Sequence, residues 1–359
     1  MAAPYQVKFC YALQEYFDVE MWFYTHLEAN RPDWWAIPLG DKCKVLKGSR
    51  FIPILNYSNA KLLGKVKAFK PDIILAGGFF FPSQYRVKNW AIRNDIKYIA
   101  FGERISFERQ IGIVKVFKKW VKKISIRLYS DIDLFLAMGE KPYVQITEDF
   151  GFPKNKVVLA RYPQDIDRNF NHELRNSKTN PRIIFPNRLD QSYNPLFALK
   201  VFKAFNHFYP ESTFMMNSSG ELRRECEAYI NSSFLNGKVI FLENIKNWDE
   251  LPDIYKQADI ALFTATDSNG PNALIECMAS AMGVVVSDKI SNISEYAVHE
   301  HNCFISTLSV DKYVDYLVKF VSEKDLLTKY GVYARAAVKE RSIKDTAKLY
   351  YEIISKLYL

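Results

Sequence analysis

The sequence predicts an α/β protein made of two parallel, doubly wound domains. Three observations carry that reading. Each half alternates short apolar runs with amphipathic helical stretches, the β–α–β rhythm of parallel sheets. With 359 residues, 48% hydrophobic and 25% charged, the chain can bury two cores of ordinary size. And the run from Ile260 to Ser287 reads as strand, loop, helix and strand in unbroken order.

The first stretch, APYQVKFCYALQEYF, has helical spacing, and DVEMWFYTH after it reads as a strand. Open α/β domains begin with a strand and none precedes this helix, so the first strand of the domain is expected to be missing from the chain. PDIILAGG is a buried strand, PSQYRVKNWAIRND a helix, and IKYIAFGER a strand whose tip carries Glu103. Next comes RQIGIVKVFKKWVKKISIRLYS, with seven basic residues and no acidic one. Lys115, Lys118, Lys119 and Lys122 share one helical face; Val114, Phe117, Val121, Ile124 and Leu128 share another, with Trp120 at the boundary. Two readings stand: a helix lying on an anionic membrane surface, or a solvated helix whose apolar face packs on the core. DIDLFLAMG is the following strand. Its Asp131 and Asp133 precede the strand, where ligand sites are rare, so no metal site is expected. A helix, a Gly-Phe-Pro turn and the strand KVVLA complete residues 1–165, the N-terminal domain. The polar segment 166–180 has the composition of an interdomain linker.

Residues 181–340 repeat the rhythm: IIFPNRLD, NPLFALKVFKAFNHFY, STFMMNSSG, ELRRECEAYINSSF, KVIFLEN and WDELPDIYKQA alternate strand and helix. IALFTA is then a buried parallel strand. Asp267 to Gly270 form a loop, and Pro271 suits the first helical position. NALIECMASAM is helical, Gly283 is expected to close it in a left-handed cap, and VVVS is the next strand. Two or three helices follow, the last over 341–359 and expected to return to the N-terminal domain. Free amides where this loop meets its helix, at the positive end of the helix dipole, suit a phosphate. Glu276, one turn behind Asn272 and Ala273, could accept hydrogen bonds from a diol. Polar groups at other strand ends could join them: Arg188, whose planar fork matches phosphate; the Asn217–Gly220 turn; and Glu243 with Asn244. Phosphate and diol together describe a nucleotide sugar.

Composition narrows the partners. The formal net charge of +9 calls for an anionic one, yet no nucleic-acid motif is present and nucleic acid is not expected. The cysteines Cys10, Cys43, Cys226, Cys277 and Cys303 are odd in number and lack a C-x-x-C pair, which argues against a disulfide framework or zinc site and for a reducing cytoplasm. No apolar run is long enough to span a bilayer, so any membrane role is peripheral. The 15% aromatic content reads as core packing.

The strand-end motifs resemble a known family. NRLDQSYN, Asn187 to Asn194, is similar to G-R-L-x-x-x-K-G/N, and SNGPNALIECMASAMGVVVS is similar to an E-x7-E helix start followed by a Gly-x-x-V strand. DELPDIYKQADIALFTA resembles the segment between them, and the N-terminal PYQVKFCYALQEYFDVEMWFY resembles the helix and strand after a first strand with an S-P-Y-R loop. The chain is thereby similar to glycosyltransferase family 4, the retaining GT-B enzymes. The resemblance implies two Rossmann-like domains facing across a cleft, with a UDP- or GDP-linked sugar donor held by the C-terminal one and a glycan or lipid-linked acceptor by the N-terminal one. It implies that Arg188 neutralises the diphosphate, that the loop Ser268, Asn269, Gly270, Pro271, Asn272 and Ala273 cradles it through the backbone N–H groups of all but the proline, that Glu276 binds the ribose, and that no metal or other cofactor is needed. Three positions depart from the family pattern. Tyr193 replaces the motif lysine, Ser268 replaces the first glutamate, and Glu103 stands at the strand end where a histidine is usual, making it the candidate catalytic group. The expected function is retaining sugar transfer in surface polysaccharide synthesis; a non-catalytic or weakened sugar-nucleotide binder and a GT-B sugar-nucleotide epimerase are the alternatives.

Overall fold

The structure, a computed structural model, describes residues 1–28, 31–52, 56–79, 81–107 and 112–358. It divides into two compact units: residues 1–28, 38–162 and 346–359 form unit 1, and residues 29–37 and 163–345 form unit 2.

Unit 1 begins with α1 (Pro4–Leu13), β1 (Met21–Phe23), β2 (Cys43–Val45), β3 (Arg50–Ile52), β4 (Asn56–Ser58) and α2 (Leu62–Phe69). It continues with β5 (Ile73–Gly77), α3 (Pro82–Arg93), β6 (Lys97–Gly102), α4 (Gly112–Arg127), β7 (Leu134–Met138), α5 (Glu140–Val144) and β8 (Val157–Ala160). Strands β5-β6-β7-β8 form a parallel sheet in that order, while β1 pairs with β2 and β3 with β4. The core is aromatic, with Phe79 stacked on Phe135 at 4.7 Å and Tyr98, Tyr129, Phe150 and Phe152 buried around them. Asp131 and Asp133 are tied into this framework. Asp131 takes a 2.8 Å ion pair from the buried Lys88, and Asp133 pairs with Lys97 and accepts the Tyr98 amide at 2.8 Å. Arg109 to Ile111 and the Val114 side chain, part of the basic run, lie outside the described residues.

Unit 2 comprises β9 (Arg182–Phe185), α6 (Pro195–Phe208), β10 (Thr213–Asn217), α7 (Arg223–Ser232), β11 (Val239–Leu242), α8 (Leu251–Lys256), β12 (Ile260–Phe263), α9 (Asn272–Ala279), β13 (Gly283–Ser287), β14 (Phe304–Ser306), α10 (Val310–Ser322) and α11 (Leu326–Val338). α12 (Ile343–Ser355) follows, and from Thr346 on it belongs to unit 1, where Tyr350 meets Phe9 edge-on at 5.0 Å and Tyr16 stacks on Tyr351 at 4.8 Å. The six-stranded parallel sheet has the order β11-β10-β9-β12-β13-β14. Alternation along each strand divides the core. Ile183, Phe185 and Leu262 face the layer of α6 and α10; Ile184, Ala261 and Phe263 face the layer of α9. Strands β12 and β13 are buried throughout, as parallel strands covered on both faces must be.

Three local expectations are corrected. Segment 166–180 is no linker but part of unit 2. Its polar side chains satisfy buried backbone: Arg175 donates to the carbonyls of Ala258 and Tyr255, each at 3.0 Å, and Asn169 donates to Ser280 Oγ at 2.8 Å and to the Glu276 carbonyl. Nor does Gly283 cap α9. The left-handed residue is Ala281, φ 55°, and Gly283 opens β13. Glycine is needed there for space, since a Cβ would sit 2.5 Å from Leu327 Cδ1 and 3.2 Å from the Phe320 ring. Residues 31–37, placed by sequence in the N-terminal domain, also pack within unit 2, with Trp35 edge-on to Trp248 at 5.2 Å.

Candidate functional site

The strand order of unit 2 defines where a ligand would bind. From β9 the chain runs outward through β10 and β11, then returns to place β12 on the other side of β9. The reversal point lies between β9 and β12, and in open parallel sheets ligands bind outside the carboxyl ends of the strands at that crevice. The loops leaving β9, β10 and β12 are stitched together there. Thr264 Oγ1 donates to the carbonyls of Tyr193 (2.9 Å) and Asn194 (3.1 Å), and the Thr266 amide to Ser192 O at 2.8 Å. On the other side the Leu189 amide bonds Ser219 O, and the Leu222 amide bonds Leu189 O, both at 2.8 Å. This contact requires Gly220, φ 144°, because a Cβ would lie 2.5 Å from the Leu189 backbone.

Each expected donor-site residue has a definite place. Arg188 sits just past β9 and pairs with Asp190 at 2.6 Å, so its charge is already partly balanced. The Tyr193 ring packs against both core layers. Asn217 ends β10 but spends its side chain locally, accepting from Ser219 N at 3.0 Å and donating to Pro186 O. Glu243 pairs with Arg223 at 2.6 Å, and Asn244 is exposed in the loop beyond β11. Ser268 accepts the Ser291 amide on its carbonyl at 2.8 Å, and its hydroxyl accepts the Gly270 amide at 3.3 Å. Asn269 is half-buried beside it, and Gly270 adopts φ 104° with Ser291 O and Tyr296 Oη within 3.5 Å of where a Cβ would be. Pro271 is the N-cap rather than the first helical residue. The Leu274 amide turns back to Pro271 O at 3.0 Å, while those of Asn272 and Ala273 meet no acceptor among the described residues. These two amides point out of the helix start, as an anion would require. The Asn272 side chain accepts from Gln164 Nε2 at 3.2 Å.

Glu276 is the most constrained group. It is buried, which excludes a solvated helix residue, and Tyr255 donates its hydroxyl to Glu276 Oε2 at 2.6 Å. Burial pushes its carboxyl up to about 7, against the Tyr255 hydrogen bond and with help from the nearby Asp165. Asp165 in turn accepts the Trp248 indole at 2.9 Å. Sequence reasoning missed Tyr255, Asp165 and Gln164. Tyr255 lies on an apolar helical spacing that marks it only as core, and nothing in the sequence announces the partner of its hydroxyl.

In unit 1, Glu103 follows β6 and is exposed, and Tyr162, whose hydroxyl burial pushes well above its ordinary value, hydrogen-bonds to it. The loop is held by paired bonds between Gln145 and the backbone of Ile105, at 2.7 and 3.0 Å. The basic helix α4 exposes Lys115, Lys118, Lys119 and Trp120 and half-buries Lys122.

Unit 2 thus has the architecture of an open parallel α/β domain, with its candidate ligand loops at the sheet's reversal point. More particularly, residues 167–337 match the family model described as Glycosyl transferases group 1. Known structures extend the likeness to the whole chain. Sucrose-phosphate synthase from Thermosynechococcus elongatus is similar with a TM-score of 0.71 at 14% identity, covering 99% of this chain and 92% of that one. Anabaena HepE in complex with UDP and glucose gives 0.65 at 14%, covering 87% and 86%. S. aureus TarM, in complex with Fondaparinux, alpha-GlcNAc-glycerol and UDP, gives 0.65 at 13%; 81% of this chain aligns, spanning only 57% of TarM. Among curated protein sequences no match to this chain is found. The domain and these neighbours support a GT-B glycosyltransferase, and the fold is the α/β class expected, with Rossmann-like units on parallel sheets.

Proposed function

We propose that the protein is a retaining, metal-independent glycosyltransferase of the family 4 type, moving a sugar from a nucleoside diphosphate to a glycan or lipid-linked acceptor in surface polysaccharide synthesis on the cytoplasmic side of a membrane. The observation that carries this reading is the joining of the β9 loop to the β10 and β12 loops at the sheet's reversal point, followed by an α9 start whose Asn272 and Ala273 amides meet no acceptor among the described residues and which has Glu276 behind them. In this reading the Asn272 and Ala273 amides and the dipole of α9 hold the diphosphate, and Arg188 swings from Asp190 to balance the leaving-group charge. Glu276 takes the ribose diol. Tyr255 occupies Oε2, so the diol would fall to Oε1. Glu103 is the candidate group at the transferred sugar. The UDP complexes of HepE and TarM support a UDP-linked donor.

A second reading, a sugar-nucleotide binder without turnover, is favoured by the 2.6 Å Arg188–Asp190 pair and by Ser268, whose hydroxyl is occupied by the Gly270 amide. One experiment separates them. The full chain is incubated with a panel of UDP- and GDP-sugars, and hydrolysis and transfer to lipid-linked acceptors are followed beside nucleotide binding by calorimetry. Transfer establishes the enzyme; binding without turnover establishes the binder. If no nucleotide binds and Glu276→Ala changes nothing, the donor-site reading fails.

A further inference from the structure

Arg188 and Asp190 form an ion pair that the backbone builds in advance. Leu189 between them is fully buried; its amide bonds Ser219 O and its carbonyl accepts the Leu222 amide, both at 2.8 Å. Beyond it the Asp190 carbonyl accepts the amides of Tyr193 at 3.0 Å and Asn194 at 3.2 Å. Thr264 Oγ1 in turn holds the carbonyls of those two residues. With the chain pinned on both sides, the freedom left to the pair is side-chain rotation. Arg188 Nη2 meets Asp190 Oδ2 at 2.6 Å, with 21% and 18% of the two side chains exposed. The pair is shielded from bulk water and still open to a ligand.

The Asp190 side chain is not spent on the local turn. Asp190 precedes the short 3₁₀ turn Gln191–Tyr193, where an aspartate ordinarily caps free amides, yet its side chain makes no such bond. Among the described residues Arg188 is its one side-chain partner. A carboxylate and a phosphate take the same edge of a guanidinium, so Asp190 fills the place an anionic ligand needs. The pair also sets the charge of the loop. Asn187 to Asn194 contains one cation, Arg188, and one anion, Asp190. Tyr193, where the family pattern has a lysine, packs its ring against the core and adds no charge. Until the pair opens, this segment offers an anion no net charge.

We propose that Asp190 is a specificity-determining residue, an internal stand-in for phosphate that releases Arg188 only to a ligand bearing phosphate charge. Sugar and ribose hydroxyls are neutral and form the weaker kind of hydrogen bond, so they leave the pair closed. A diphosphate brings several negative oxygens and outcompetes a single carboxylate. When the phosphate departs, Arg188 returns to Asp190, and neither charge is left unpaired in a half-buried site. The inference rests on the donor-site reading, with Arg188 at the phosphate.

The test is calorimetry of the full chain with UDP and with uridine. Asp190→Asn removes the competing charge and should tighten UDP binding by about tenfold, the worth of a charge-assisted bond. Uridine, which carries no phosphate, should change by less than about twofold. The same substitution in an Arg188→Gln background should gain less than about threefold, because the partner being competed for is gone. A carboxylate that merely repels the ligand would give the full gain in both backgrounds, and that result overturns the inference. Unchanged or weaker UDP binding by a folded Asp190→Asn, verified by circular dichroism, also overturns it and makes Asp190 a residue that positions Arg188. Asp190→Ser, which lacks the charge as well, repeats the comparison if the asparagine variant unfolds. In each of these cases the wild type still binds UDP and the donor-site reading stands. If the wild type binds no nucleotide, that reading fails and this inference with it.

Discussion

Replacing Glu276 by glutamine tests the electrostatics of the site without any knowledge of the ligand. The carboxyl lies buried in α9 with Tyr255 donating to Oε2 at 2.6 Å, and burial lifts its titration from the ordinary 4.5 to about 7. In the unfolded chain the group ionises near 4.5, so below that pH it is neutral in both states and contributes no pH dependence. Between 4.5 and about 7 the unfolded state loses its proton first, and stability falls as pH rises through this window; above it the loss is complete. At about 1.4 kcal/mol per unit, a shift of roughly 2.5 units costs the folded protein about 3 kcal/mol at pH 8. Glutamine keeps an acceptor for the tyrosine and cannot ionise. Glu276→Gln should therefore gain on the wild type by up to about 3 kcal/mol between pH 4.5 and pH 8. Guanidinium unfolding at pH 4.5, 6 and 8, followed by tryptophan emission, reads the gap, because Trp248 lies in the same unit. A gap that stays constant, or narrows as pH rises, would refute the assignment of a buried, proton-holding carboxyl.

Three further outcomes follow from the same contacts. Tyr255→Phe removes the donor from a buried carboxylate and should destabilise by about 1–3 kcal/mol at pH 8 and less at pH 5, read as the shift in denaturation midpoint. Gly220→Ala would force a Cβ to 2.5 Å from the Leu189 backbone at φ 144°, so the loops after β9 and β10 must separate; a loss of about 2 kcal/mol or more is expected, with weaker nucleotide binding by calorimetry. His172 is held neutral, pushed down to about 4 by burial and by Arg175 and Arg335. Its folded value lies below its unfolded one, so stability should drop as pH falls from 6.5 towards 4, and His172→Gln should flatten that limb of a Tm–pH curve.

What the sequence made legible depended on whether the signal was local. Strand runs such as IALF and GVVVS are buried on both faces and betray themselves by unbroken hydrophobicity. The loop before α9 was equally readable, because Asp, Asn, Gly and Pro specify a turn by their own backbone preferences. Gly283 was misread for an informative reason. A glycine after a helix usually marks a left-handed cap, but here Ala281 adopts that conformation, and Gly283 is required by Leu327, 44 residues away in α11. The 166–180 segment failed likewise. Its polarity signals solvent, yet Arg175 and Asn169 point inward because helices α8 and α9 end in carbonyls that need donors. For α4 the periodicity predicts two faces and is silent on which one meets the protein; that choice belongs to Ile126 and Tyr129, which insert into the unit 1 core and turn the longer apolar stripe outward. Glu276 combines both cases. Its position behind the helix start follows from helical spacing, but its burial and its bond to Tyr255 come from α8, packed on it through the fold. Burial, working against that bond, turns an ordinary carboxylate into one that titrates near neutrality, so the residue on which the functional reading leans most is the one whose chemistry only the tertiary structure supplies.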